Sequence, residues 1–198
     1  AAPSYGKVSD VMSQVLKQDD SAKITYQTED HLSQLKNIGL DLNFSEAVTH
    51  WWTTNDFLNA FHNKYNGQYL GGNLDFGSTA FTVQSTNTFT LPAHFTAELS
   101  GYFQSRMLWS IFTIAPQYGI SAGVQKTILK DKGTIKLNMN DLFNTMHGTA
   151  TVKYQNLDLR SVNRWDSRRL SISFSYRFSK GNVKEVKHHE SAIEQEQS

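Results

Sequence analysis

The chain has no cysteine among its 198 residues, which removes disulfides, thiolate nucleophiles and Cys-ligated zinc together. Long apolar runs are missing as well. A membrane helix needs roughly 20 consecutive apolar residues, whereas the most apolar stretch, Met107 to Ala115, is interrupted by Ser110 and Thr113 and bounded by Arg106 and Pro116. A membrane helix is therefore not expected. Neither charge sign dominates: the net charge is +1, so nothing draws the whole chain toward nucleic acid, which is not an expected partner. There is no Gly-rich phosphate loop ending in Lys-Ser/Thr and no Gly-x-Ser-x-Gly elbow, and no local grouping of Ser, His and Asp nominates a triad. The expectation is a protein that is not an enzyme and takes no cofactor. The start, Ala-Ala-Pro-Ser-Tyr, lacks the basic region and apolar core of a signal peptide, as a processed chain also would.

The chain is rich in alternation. In Leu170 to Phe178, the residues Leu170, Ile172, Phe174, Tyr176 and Phe178 alternate with Ser171, Ser173, Ser175 and Arg177. That is a strand with one apolar, uncharged face and one face of small hydroxyls, suited to lipid on one side and a watery lumen on the other. The same period recurs through Ile38, Leu40, Leu42 and Phe44, through Phe81, Val83, Phe89 and Leu91, through Phe95 to Phe103, and through Tyr118 to Val124 with Ile135 to Met139. Trp51 to Tyr65 is less tidy, because Phe57 and Phe61 share a face with asparagines, and a bulge is expected there. Ser4 to Leu16 reads as a strand of ambiguous period. Gln18 to Leu35 and Asn66 to Asp75 read as loops, and Ser105 to Pro116 and Asn144 to Ser167 as long connections with a β-like piece at Thr151 to Tyr154.

Connection lengths add an argument that no single strand supplies. Short turns are expected at Glu46 to His50, Leu91 to His94 and Lys130 to Gly133, and they alternate with long connections along the chain. Membrane barrels have that parity, with long loops outside and short turns on the periplasmic side; a soluble sandwich has no reason to keep it. The expected fold is all-β, an antiparallel up-and-down transmembrane β-barrel of about eight strands. Residues 1–178 form the barrel segment, and 179–198 form a charged, aromatic-free periplasmic tail.

Weaker signals have bland readings beside them. His188, His189 and Glu190 carry ligand chemistry, but adjacent histidines in a polar tail are more often solvated linker, so no metal is expected. The acidic stretch Asp19 to Asp30 lacks the spacing and central Gly of a calcium loop. Asp141 reads as an end-of-strand polar residue rather than a catalytic acid. Trp51, Trp52, Tyr65, Tyr102, Trp109, Tyr118 and Trp165 lie near expected strand ends, where barrels place aromatic girdles. Tyr69, Trp109 and Trp165, on expected outer loops, are the candidate ligand-contacting aromatics.

Three stretches resemble the C-terminal barrel region of TonB-dependent outer-membrane receptors in the form common among Bacteroidetes. They are Pro116 to Ile120 leading to Gly123-Val124-Gln125-Lys126, then Leu137-Asn138-Met139-Asn140-Asp141-Leu142-Phe143-Asn144, then Arg168-Arg169 and the strand to Phe178. The resemblance implies import of a scarce solute, glycan or peptide across the outer membrane of a Gram-negative bacterium. It further implies outer-membrane lipid, the barrel-assembly machinery and a TonB-type energy coupler as partners, the coupler acting through a plug not found in this chain. Phe174, Tyr176 and Phe178 would be the assembly signal. Such receptors have about twenty-two strands, so the chain looks like the last third of one. Two other readings stay open: a self-contained eight-stranded barrel serving as adhesin or anchor, and a soluble β-domain that binds carbohydrate, whose apolar faces would have to meet a second sheet.

Overall fold

Period-2 alternation becomes twelve strands and no helix among residues 1–19, 21–69, 72–154 and 157–178, the residues that this computed structural model describes. In chain order they are β1 (Ala2–Asp19), β2 (Ile24–Thr49), β3 (Trp52–Tyr69), β4 (Gly72–Leu91), β5 (Phe95–Gln104), β6 (Met107–Trp109), β7 (Phe112–Ile114), β8 (Gln117–Ile128), β9 (Gly133–Asn140), β10 (His147–Tyr154), β11 (Leu157–Arg164) and β12 (Arg169–Tyr176). Eight of them make one antiparallel wall in the order β1-β2-β3-β4-β5-β8-β9-β12, with β1 and β12 at its edges. The other four make a small sheet, β11-β10-β7-β6.

The register shows which residues share a face, because direct antiparallel partners point the same way. Trp52, Phe89, Ala97, Val124, Leu137 and Ile172 form one row of consecutive partners across six strands. Their apolar face is exposed rather than covered: Ile172 is 73% and Phe174 60% accessible, and Ile38, Phe44, Leu99 and Ile135 are exposed as well. Among the described residues nothing packs there as the second sheet of a sandwich would. The opposite face carries Asn37, Asp41, Asn59, Gln84, Thr86, Ser100 and Ser121, with Asn59 donating to Asp41 at 2.7 Å and Asn37 to Asn63 at 2.5 Å.

The apolar band is not level along the register. On β2 it spans Ile38 to Phe44, centred on Asp41, which the ladder carries through Asn59, Thr82 and Gln104 to Gln117. On β12 it spans Leu170 to Tyr176, so its centre has descended by about eight residues, roughly 27 Å, over strand spacings that sum to roughly 29 Å. Levelling the band in a membrane requires strands inclined by about 45°, the tilt of membrane barrels.

The three turns at the β2–β3, β4–β5 and β8–β9 junctions all lie at one end of the wall; the first is only His50 and Trp51, since Glu46 to Thr49, expected as turn, belongs to β2. Pro92 opens the second, followed by left-handed backbone at Ala93 and His94 (φ 58° and 60°). Thr127 N–H donates to the His94 carbonyl at 3.0 Å and Arg177 N–H to that of Lys132 at 2.8 Å, which binds the turns together.

At the other end the strands run on well past the membrane, and several sequence expectations are corrected there. The segment Gln18 to Leu35, expected as a loop, is the tip of the β1–β2 hairpin, and most of Asn66 to Asp75 belongs to β3 and β4. β3 pairs with β4 without a bulge from Trp52 to Tyr69; the irregularity lies in β2 between Ala47 and Thr49. The two long connections contain β6, β7, β10 and β11. Thus eight strands describe the wall but not the whole chain.

The small sheet closes over the polar face of this extension and makes the only buried apolar cluster among the described residues. Val15, Leu16, Tyr65, Ile111, Val152 and Leu157 form it, with Leu35, Phe76 and Leu108 packed against it. Leu35, Tyr65 and Phe76 are direct partners on the face that lower down carries asparagines. The same face is therefore polar where it meets water and apolar where it is roofed.

Candidate functional site

Between β4 and the roof lies a cavity of about 580 Å³ whose walls include Phe76, Ser78, Arg106, Leu108, Thr113 and Thr151. That volume suits a small-molecule ligand. Its position follows from local chemistry: Ser110 donates its hydroxyl to the Gln14 carbonyl at 3.1 Å, pinning the β6–β7 turn to β1, and Ala115 N–H donates to the Thr149 carbonyl at 2.8 Å. Of the charges at its rim, Asp75 is paired with Lys64 at 3.1 Å and Lys153 with Asp158 at 3.3 Å. Arg106 has no carboxylate partner among the described residues, so it is the unneutralised charge at the cavity. Sequence reasoning used Arg106 only as the end of an apolar stretch. A lone cation flanking Met107 to Ile111 in a long connection was the signal available.

The aromatics nominated as ligand contacts do not share this cavity. Trp109 stands 6.0 Å from Phe112, centroid to centroid, and lines a separate crevice of about 210 Å³ with Met12, Glu29 and Tyr65. Trp165 lies over Gly148, where an added Cβ would come within 3.4 Å of its ring. The backbone of Tyr69 pairs with Gly72 at the end of β3; its side chain lies outside the described residues. Two expected girdle residues are reassigned. Tyr65 is buried in the outer core, and Tyr102 sits on the polar face, donating to Gln104 at 2.8 Å. Trp51 and Trp52 do stand at the turn end, each 6.1 Å from Phe89.

Asp141, one residue beyond β9, is 1% exposed. Burial opposes its ionisation, but hydrogen bonds from the Ser167 hydroxyl, the Thr145 and Met146 amides and the Thr145 hydroxyl outweigh it and lower its pKa to about 2. It is a structural knot rather than a reactive acid: Leu142 N–H and Asp141 N–H in turn bond back to β8, at Ile120 and Ser121. Beside it Gly119 admits Met146, whose Cγ would stand 2.8 Å from an added Cβ.

Phe174 and Tyr176 belong to the exposed apolar face, and Phe178 packs edge-on against Tyr176 at 4.9 Å just past β12. Among the described residues no three His, Asp or Glu side chains are grouped to hold a metal; His188 and His189, with the whole stretch 179–198, lie outside those residues.

A wall of antiparallel strands with an uncovered apolar face, a polar opposite face, short turns at one end and folded loops at the other defines a membrane β-barrel protein. Among the described residues no helix is long and apolar enough to cross a membrane, and the strands take that role. The chain belongs to the outer membrane protein beta-barrel family, which matches residues 1–176. No curated protein and no solved structure matches it.

Proposed function

We propose that the chain is the C-terminal part of the barrel of a TonB-dependent outer-membrane receptor, importing a scarce solute, glycan or peptide across the outer membrane of a Gram-negative bacterium. The observation that supports this reading best is the roofed mouth: the loops at one end fold inward over the polar face and leave a cavity of about 580 Å³ there, where an arriving solute is first met. The polar face adds to it. Gly119, Ser121 and Gly123 on β8 and Ser171, Ser173 and Ser175 on β12 are too small to fill a narrow barrel and suit the wall of a wide one. In this reading the protein carries out no reaction and holds no cofactor. Its partners are outer-membrane lipid, the barrel-assembly machinery on the final strand, and an energised periplasmic coupler acting through a plug.

The test compares depletion of solutes from growth medium by cells with the protein, cells without it, and cells with it whose TonB-type coupler is inactive. A solute taken up only when both are present is expected. Identical depletion in all three, with the protein correctly inserted, would sink the transport reading. It would favour the self-contained anchor, a reading that the eight-stranded wall also fits.

A further inference from the structure

Lys7, Lys36 and Lys64 stand directly opposite one another in a single row across β1, β2 and β3. The row has the parity of the apolar face: two residues along each strand come Tyr5, Ile38 and His62, and two further Pro3, Leu40 and Ala60. It is therefore the first charged row beyond the apolar band, on the surface that faces lipid. With the strands inclined by about 45°, Lys36 lies roughly 12 Å from the level of the band's centre, about half the thickness of the apolar belt of such barrels, and Lys7 and Lys64 lie about 3 Å to either side of that level, Lys7 nearer the centre. That is the boundary between acyl chains and headgroups, on the side away from the short turns and hence in the outer leaflet.

Like charges directly opposite on neighbouring strands repel, so this row is unfavourable unless an anion sits on it. Asp75 neutralises Lys64 at 3.1 Å. Among the described residues neither Lys7 nor Lys36 has an acidic partner. Two unneutralised ammonium groups are thus held about 5 Å apart at their Cβ atoms, at headgroup depth, with His62 one row below and its Nδ1 2.9 Å from the Thr79 hydroxyl. Tyr5, exposed beside Ile38, gives an amphipathic ring at the same boundary, where such rings sit next to lipid.

We propose that the Lys7, Lys36 and Lys64 row binds the phosphate of an anionic outer-leaflet glycolipid, with the acyl chains lying along Tyr5, Ile38 and Leu40. Lysine suits this role, since a flexible point charge follows a headgroup that has no fixed orientation. The neighbouring apolar residues distinguish a lipid from a free anion, because they have no function toward the latter.

The full natural chain, purified in detergent, would be exchanged into nanodiscs of phosphatidylcholine with or without diphosphorylated lipid A, and retained lipid counted by native mass spectrometry. The double variant K7Q/K36Q spares the Lys64 pair with Asp75 and relieves repulsion, so it should keep its strand content by circular dichroism. K153Q, in the roof, is the control. Lipid A retention at least about ten-fold above phosphatidylcholine is expected for the natural chain and for K153Q, and a loss of that preference in K7Q/K36Q. Retention of dephosphorylated lipid A equal to that of the diphosphorylated form would overturn the proposal, as would an unchanged preference in the double variant. Displacement of lipid A by millimolar inorganic phosphate would show a free-ion site and overturn the lipid assignment.

Discussion

Ser167, two residues before β12, donates its hydroxyl to the carboxylate of Asp141, one residue after β9. The two are separated by 26 residues, yet β9 and β12 are neighbours in the wall. The segment between them, β10 and β11 included, leaves the wall after β9 and rejoins it at β12, and this contact closes its base. The Asp141 carboxylate also accepts from Thr145 N–H at 2.9 Å and Met146 N–H at 3.0 Å, so it fixes the point where the roof departs.

Asp141→Ala is expected to destabilise the outer end by about 2–3 kcal/mol, because it strips charged acceptors from buried donors. Urea unfolding in lipid vesicles measures it. Hydrogen exchange should report faster opening of 141–167 with the β2–β4 part of the wall unchanged. Unchanged exchange in that segment would show that the knot is not what holds the roof.

The same carboxylate makes an acid response. Its unfolded pKa is about 3.9 and its folded value about 2, so the fold binds this proton more weakly than the unfolded chain does. The stabilisation is complete above about pH 4 and is lost as pH falls through 2. Unfolding midpoints measured from pH 6 to pH 2 should drop within that window, and Asp141→Asn should flatten the drop.

On the wall, Ile172→Arg or Phe174→Arg should cost about 2–4 kcal/mol in lipid, since a cation on that face meets neither water nor a counter-ion, while Ser173→Arg should be mild. Folding titrations in vesicles decide it. Equal penalties for both faces would mean that the face assignment from the register is wrong.

Phe178→Ala should lower surface abundance while leaving ligand binding per inserted molecule intact, because Phe178 stands just past β12, packed on Tyr176, where the assembly machinery would read it. Comparing abundance with binding separates the two. Normal abundance with lost binding would point instead to a direct role in recognition.

Where a strand has one face in lipid, the sequence is readable. Leu170 to Tyr176 and Ile135 to Met139 contrast with their serine and asparagine neighbours, and Pro92 and Gly133 mark tight reversals, so the wall and its short turns were legible. The contrast fades once a hairpin leaves the membrane. Most of Gln18 to Leu35, past the extended-looking Ile24 to Tyr26, and of Asn66 to Asp75 is polar on both faces or rich in glycine, and reads as loop although Ile24 to Gln34, Asn66 to Tyr69 and Gly72 to Asp75 lie in strands. Tyr65 and Tyr102 looked like girdle residues because nearness to a strand end says nothing of which face a ring takes; the ladder puts both on the polar side. The cavity was hidden for another reason. Phe76, Arg106 and Thr151 are brought together only when the roof folds back, and no local spacing announces that.

The core at the outer end also makes the mouth a single unit. Val15 comes from the first hairpin, Tyr65 from the second, and Ile111, Val152 and Leu157 from the segments that leave the wall. Stretches far apart in the chain thus share one apolar cluster, so truncating Tyr65 or Val152 loosens both sheets together rather than one hairpin alone.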